Sequence, residues 1–423
     1  VKKIIIVIDE PKRDLSALLF FSTKLKSKGF QVFLISFLQL SKIELSFFED
    51  SILISNHFRK NNIHFLAWLK IFKKTKIIIF DTEGVGSKDG LQVARNLKAH
   101  KNLHNIFDEY WLWNKILLKE IKKFSKDHQR FYVVGSYRFS KEFLSLKKKN
   151  IQNNKNQILI NTNFAFIDPK FSNGYKEEFK TSLKTYDAVT EEDVKHHFEK
   201  RIKFLDILNK ILSRYHSEIF VLRTHPFEKN DFWYNKLKSH KNLVFRSEGD
   251  VTDEILKSKF IIQNECTTAV EAFNLEVPAI TFDWLFNDNY DTFIPRLASI
   301  RCKNIDEVFS NINLILSNNY KELNLIEDKV SEYFTNVEIK DDVFEICTNR
   351  IIKLTNQPVK LNFYYLKYIL KYIFFKTVNI FEKEIPEKKI PKILNIKIIK
   401  DELSKYNLNF DVENIQNKIF KIN

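Results

Sequence analysis

Short apolar runs alternate with amphipathic stretches along most of this chain. Lys3 to Ile8, Gln31 to Ser36, Ser51 to Ile54, Lys76 to Phe80 and Phe131 to Val134 are too short for helices, and their near-continuous apolar character predicts strands buried on both faces. Ser16 to Lys28 and Asn114 to Phe124, between them, carry apolar residues at helical spacing. This alternation predicts a parallel sheet with helices on both faces.

The pattern restarts after a polar linker, Lys147 to Gln157. Strands are expected at Ile158 to Ile160, Glu218 to Leu222 and Leu243 to Phe245, with helices at Glu191 to Tyr215 and Thr252 to Ser258. A second doubly wound sheet over roughly Ile158 to Glu332 follows from this. The expected divisions are residues 1–150, 151–335 and a helical, basic extension over 336–423. A chain of 423 residues exceeds what one core usually supports, in keeping with two domains.

The stretch Lys259 to Asp283, KFIIQNECTTAVEAFNLEVPAITFD, contains a buried strand, a polar turn Asn264-Glu265-Cys266, and a helix that Thr267 opens and Val277-Pro278 ends. A helix start with two hydroxyls, Thr267 and Thr268, and free N–H groups suits a phosphate. Glu271, one turn in, is placed to accept from a ribose diol. Cys266 completes that turn. Together these residues suggest a nucleotide-sugar site.

Arg223-Thr224-His225-Pro226 follows another strand; proline fixes the turn, and His225 and Arg223 offer donors to an anion. The alternative is a histidine that caps a neighbouring loop. Asp81-Thr82-Glu83-Gly84 ends the Lys76 to Phe80 strand, where Asp81 or Glu83 is a candidate base toward an acceptor hydroxyl. Glu83 also fits a plain helix cap. Gly84, Gly86 and Gly90 are three of only seven glycines, which suggests special backbone angles or close ligand approach. Gly135-Ser136-Tyr137-Arg138 and Asn161-Thr162-Asn163 end further strands and make Arg138 and Asn163 candidate site linings, although such residues also simply make turns.

Composition narrows the classes. A formal charge of +16 favours polyanions, phosphorylated substrates or an anionic membrane surface, while the wealth of Lys, Ile, Asn and Phe matches an AT-rich coding bias that accounts for part of it. Nucleic-acid binding ranks low, because no recognised motif accompanies the charge. Cys266, Cys302 and Cys347 are odd in number and lack CxxC spacing, so disulfides are not expected and a cytoplasmic location is. The N-terminal apolar run is too short for a signal peptide, and no segment reaches the roughly 18 apolar residues of a membrane span. P-loop and GxGxxG patterns are absent. His196 and His197 adjoin in a helix and should point about 100 degrees apart, so they do not make one site; no Asp-x-Asp stands at a strand end to hold a divalent ion, and neither a metal nor another cofactor is expected.

Lys360 to Lys376, KLNFYYLKYILKYIFFK, sets Lys367 and Lys371 on one face of an aromatic helix. It reads either as a helix packed across the domains or as an interfacial helix against anionic lipid.

The ordered set RDLSALLFFSTKLKSKGFQVFL, DTEG, FDEYWLWNK, VVGSYRF, ILINTNF, RTHPFE and NECTTAVEAFNLEVPAI resembles the bacterial surface carbohydrate biosynthesis protein family over about Arg13 to Ile280. That resemblance implies a GT-B organisation: two Rossmann-like domains facing a cleft. A more distant similarity, to GT-B sialyltransferases and capsule Kdo transferases, implies that Thr224-His225-Pro226 and Thr267-Thr268 hold a CMP phosphate. In the sialyltransferase pattern the first acid of an acidic-acidic-Gly motif is the base; here Thr82 stands there, with Glu83-Gly84 matching and Asp81 one residue early.

These readings imply a metal-independent glycosyltransferase of surface polysaccharide synthesis. Its partners would be a nucleotide-sugar donor, CMP-activated Kdo or nonulosonic acid first, and a glycan or lipid-linked acceptor reached from the cytoplasm or peripherally at the inner membrane. A nucleotide-sugar epimerase, a polyol-phosphate transferase and a non-catalytic assembly factor are the alternatives.

Overall fold

The computed structural model describes residues 2–59, 62–82, 84, 90–151, 155–170, 190–320, 330–334, 336, 341–359, 370, 394–416 and 419–423. The chain divides into two compact units, one of Val1–Gly86, Leu91–Asn150 and Ser331–Asn423, the other of Ser87–Gly90 and Ile151–Val330.

The first unit begins with β1 (Lys3–Ile8), α1 (Pro11–Ser27), β2 (Gln31–Ser36), β3 (Ser51–Ser55), α2 (Ile63–Phe72) and β4 (Lys76–Phe80). It continues with α3 (Gln92–Ala99), β5 (Glu109–Leu112), α4 (Lys115–Lys122), β6 (Phe131–Val133) and α5 (Lys141–Asn150). Alternate β1 residues supply opposite cores: Ile4, Ile6 and Ile8 pack on one face, Ile5 and Val7 on the other. The run is apolar throughout because both faces are covered. Helix α1 starts five residues before the sequence reading. Pro11 supplies a fixed φ at its first position, and Asp14 Oδ2 accepts the Glu10 N–H at 3.1 Å. The charged side chains there obscured the apolar period. Strand β5 was not anticipated, since Glu109 interrupts its apolar run; that carboxylate is buried and takes Trp111 Nε1 at 2.7 Å.

The second unit contains β7 (Gln157–Asn161), α6 (Glu191–Arg214), β8 (Phe220–Arg223), α7 (Asp231–Leu237), β9 (Leu243–Phe245) and α8 (Val251–Leu256). Next come β10 (Ser258–Gln263), α9 (Thr268–Asn274), β11 (Ala279–Phe282), α10 (Phe293–Leu297), β12 (Ile300–Cys302) and α11 (Ile305–Leu316). A capping box of Thr190 and Asp193 starts α6. Its sheet runs β12-β11-β10-β7-β8-β9, with parallel pairing throughout. Strand order reverses between β7 and β10, which makes that junction the topological switch point, where the ends of adjacent strands open a crevice.

The chain then returns to the first unit through α12 (Val343–Thr355), α13 (Ile396–Lys405), β13 (Val412–Gln416) and β14 (Ile419–Ile422). Here the expectation of a helical extension is corrected. β14 pairs antiparallel with β2, setting Phe420 against Leu34, and extends the first sheet to the order β13-β14-β2-β1-β3-β4-β5-β6. Pairing covers the edge that β2 would otherwise expose. Lys76 Nζ, 4% exposed, donates to the carbonyls of Leu354 at 2.6 Å and Thr355 at 3.1 Å, capping α12 where its dipole is negative. Arg350, on the same helix, forms a two-bond pair with Glu109, both at 2.7 Å. Lys360 to Lys376 lies outside the described residues apart from Leu370. Among the described residues no helix is long and apolar enough to cross a membrane.

Candidate functional site

The register of the second sheet sets three strand ends in a row: Asn161 pairs with Arg223 on one side and with Gln263 on the other. The loops that follow are then cross-linked. Asn161 Nδ2 donates to Thr268 Oγ1 at 3.0 Å, and Asn163 Nδ2 to the Glu265 carbonyl at 3.1 Å. Asn161 is 2% exposed; the sequence marks its turn as a candidate lining, whereas its bond to Thr268 is announced by no local spacing.

His225 is half-buried on the turn after β8. Its Nδ1 accepts the Phe227 N–H at 3.3 Å, which places the neutral ring's proton on Nε2. The turn is shaped by Glu228, a buried carboxylate. Glu228 N–H donates to the His225 carbonyl at 2.8 Å. Its carboxylate accepts from Thr162 Oγ1 at 2.7 Å, Phe164 N–H at 3.1 Å and Trp233 Nε1 at 2.6 Å. Burial raises its pKa, and these bonds offset only part of the shift. The RTHPFE motif thus contains an organising acid that the sequence reading passed over.

Other residues of the motif face inward. Arg223 is 8% exposed and donates to the carbonyls of Glu248, at 2.6 Å, and Gly249, so its guanidinium holds the loop after β9. Burial lowers its pKa, against the pull of Asp250, Glu254 and Glu271. Thr224 is buried, with its hydroxyl on Asn230 Oδ1, while Pro226 is exposed.

At the other turn α9 begins at Thr268, one residue later than the sequence suggests, and runs only seven residues. Thr267 is exposed and makes no capping bond. The N–H groups expected to be open there are mostly engaged: Cys266 N–H reaches Gln263 Oε1 at 2.9 Å, Ala269 N–H the Cys266 carbonyl and Val270 N–H the Thr267 carbonyl, both at 3.0 Å. Thr268, Glu271 and Cys266 are buried, and burial pushes the Cys266 thiol up.

Glu265, with φ of +48°, turns its carboxylate away from that turn into a cluster built on α6. Lys200 Nζ donates to Glu265 and, at 2.7 Å, to Asp291 Oδ2; His196 Nε2 lies 2.9 Å from Asp291 Oδ1. One ammonium faces two carboxylates. Burial pushes Glu265 up to about 8, with Lys200 opposing and Asp291 adding, whereas at Asp291 the effect of burial is outweighed by Lys200 and the pKa is lowered. His197 is driven down to about 4, chiefly by burial. Ligand atoms of His197, Glu265 and Asp291 lie within 4.8 Å of one another, and His196 meets the same Asp291 carboxylate without joining that group. Lys200 already supplies the positive charge between the two acids.

In the first unit Asp81, Gly84 and Arg138 gather around one indole. Trp113 Nε1 donates to the Asp81 carbonyl at 2.7 Å, and the Arg138 guanidinium lies 5.1 Å from a Trp113 ring centroid. A Cβ at Gly84 would overlap the same indole. The close approach that requires this glycine is therefore that of Trp113. Asp81 is 4% exposed and accepts Tyr110 O–H at 2.6 Å, which ties up one oxygen of the candidate base. Glu83 and Gly86 lie outside the described residues.

No family model matches the chain. No curated protein matches it in sequence. Among solved structures it is similar to the UDP-GlcNAc 2-epimerase of Methanocaldococcus jannaschii, at 12% identity and a TM-score of 0.50 over 84% of this chain and 100% of that one. It is also similar to a variant of the wall teichoic acid polymerase TagF soaked with CDPG, at 11% identity and 0.50 over 85% and 90%.

The chain has the GT-B fold.

Within this GT-B fold both sheets are doubly wound, as the alternating sequence pattern predicts, and the crossover between β7 and β10 explains why Asn161, Arg223 and Gln263 share one end of the second sheet.

Proposed function

We propose that this chain is a glycosyltransferase of bacterial surface polysaccharide synthesis, moving Kdo or a nonulosonic acid from CMP to a glycan or lipid-linked acceptor. The observation that carries the reading is the switch point of the second unit, where Asn161 at the end of β7 donates to Thr268 at the start of α9 and the His225 turn follows the adjacent strand β8. The donor phosphate sits at that junction. As the glycosidic C–O bond breaks, the electron pair passes to the CMP phosphate, and His225 Nε2–H and the Thr267 hydroxyl donate to its oxygens. Donors already in place favour the transition state over the ground state. Glu271 takes the ribose diol. Glu83 or Asp81 takes the acceptor proton, and Glu83 is preferred because Tyr110 already occupies Asp81.

Both structures of the same fold handle other nucleotides by name, UDP-GlcNAc in one and CDPG in the other, so the choice of nucleotide is the point to test. Calorimetric titration should rank CMP above CDP and UDP, and His225→Ala should weaken CMP binding about tenfold. CMP-Kdo or CMP-sialic acid should release CMP in the presence of a lipid-linked acceptor, unaffected by a chelator. Tight UDP binding with conversion of UDP-GlcNAc to its epimer would replace this reading by the epimerase one, and CDP preference by polyol-phosphate transfer. Polymer made normally with His225→Ala would point to an assembly factor instead.

A further inference from the structure

Helices α2, α3 and α4 connect successive parallel strands from β3 to β6 and lie side by side over one face of the first sheet, where Leu66, Leu97, Leu117 and Ile121 share a core. His104 ties the carboxyl ends of α3 and α4 together: its Nε2 lies 3.0 Å from the Leu97 carbonyl and its Nδ1 2.8 Å from Ser125 Oγ. The outward side of this layer is cationic. Arg95 and Lys98 on α3, Lys101 in the following turn, and Lys115, Lys119 and Lys122 on α4 are all exposed. The last three are spaced four and three residues apart, which sets them in one stripe. Over residues 91–126 no acidic residue is exposed: Asp108 is held by Lys70, Glu109 by Arg350 and Glu120 by Lys123. Helix α2 contains no acid at all.

Neither composition nor helix stability accounts for this. The chain carries 53 acidic residues against 69 basic ones, enough to neutralise such a layer. Lys115 occupies the first position of α4, and neither α3 nor α4 has an acid in its first turn, although the helix dipole favours negative charge there. In the second unit α6, α8 and α11 do have such acids, Glu191, Asp253 and Asp306 among them. The layer also presents an apolar anchor, Phe72 at the end of α2, which is 50% exposed.

We propose that the layer of α2, α3 and α4 docks on an anionic phospholipid membrane. The lysine ammonium groups meet headgroup phosphates, and Phe72 enters the headgroup boundary. Lysine predominates over arginine, and neither α3 nor α4 contains an aromatic residue, so the layer lacks the guanidinium forks and stacking platforms with which proteins hold nucleic acid. Trp113 and Asn114 lie between β5 and Lys115, and Trp113 Nε1 holds the Asp81 carbonyl. The docked layer therefore sets the bilayer beside the strand ends that a lipid-linked acceptor must reach. Only that last step rests on the glycosyltransferase reading, since the cationic layer is independent of His225.

Co-sedimentation of the full chain with lipid vesicles tests it. Vesicles containing phosphatidylglycerol should bind about tenfold more tightly than phosphatidylcholine alone. Raising salt from about 0.1 M to about 0.5 M should release most of the protein. The combined variant Lys115→Gln, Lys119→Gln and Lys122→Gln should weaken binding about tenfold with Tm little changed. The same change at Lys195, Lys203 and Lys210, exposed on α6, alters net charge equally and should leave binding within about twofold. If the α4 variant does not fold, the pair Lys98→Gln and Lys101→Gln carries the test, with an expected loss of about fivefold. Phe72→Ser should weaken binding about threefold. Equal binding to both vesicle types, no binding, or equal losses from the α4 and α6 variants overturns the proposal. A short DNA duplex that binds more tightly than the phosphatidylglycerol vesicles, and is lost with the α4 variant, identifies a nucleic-acid surface and also overturns it. CMP titration of the same wild-type protein separates the two readings. CMP binding without vesicle binding sinks this docking face alone, and vesicle binding without CMP binding sinks only the donor reading.

Discussion

Asn161 donates to Thr268 across 3.0 Å, joining the last residue of β7 to the first of α9. Both residues are buried, so removing either partner leaves the other without its bond at the switch point. Thr268→Val and Asn161→Leu should each cost about 1–2 kcal/mol in urea unfolding. The double variant should cost less than their sum, with a coupling of about 1 kcal/mol. If the junction holds the donor phosphate, each single variant also weakens CMP binding. Additive stabilities would show that the two side chains act separately.

Glu228 organises the neighbouring turn, and its environment fixes the sign of its pH dependence. Its folded pKa is raised by burial, so its contribution to stability is complete below the unfolded carboxyl pKa and diminishes as pH rises through the folded value. Glu228→Gln keeps the shape but sets an amide N–H where donors converge, so it should be destabilised at every pH. That deficit should narrow as pH rises, because only the wild type loses stability on ionisation. Glu228→Ala leaves Thr162, Phe164 and Trp233 donors unmatched and should cost about 3 kcal/mol. Urea unfolding at acid and neutral pH measures both, and a gap that widens with pH would contradict the burial argument.

Both doubly wound sheets were legible because fully buried parallel strands write themselves as unbroken apolar runs, as at Lys3–Ile8 and Lys76–Phe80. The hairpin at Val412–Gln416 and Ile419–Ile422 was not, since an edge ribbon carries polar residues and its partner, Leu34, lies hundreds of positions away. At the site, residue type told which turns mattered, but not which way each side chain faces. Arg223 and Thr224 belong to the motif yet serve the loops at Glu248 and Asn230. Glu265 lies in the most informative stretch of sequence, and its positive φ sends it to Lys200, a contact that no local spacing announces.

That contact makes a final prediction. Lys200 neutralises one buried carboxylate, and the second, Glu265, is held up to about 8 mainly by burial. A raised folded pKa means that Glu265 contributes fully below the ordinary glutamate value of 4.5, and that the contribution is lost as pH rises through about 8. His197 has the opposite sign: with a folded value of about 4 against 6.5, its contribution is complete above 6.5 and is lost as pH falls through about 4. Between 4.5 and 6.5 the two slopes oppose each other, so the Tm of the wild type should change little there and decline from 6.5 to 8. Glu265→Gln should flatten that decline, and His197→Gln should remove the loss on the acid side. A wild-type Tm that holds level up to pH 8 would mean that Lys200 keeps Glu265 ionised, with both charges of the acid pair present in the folded protein.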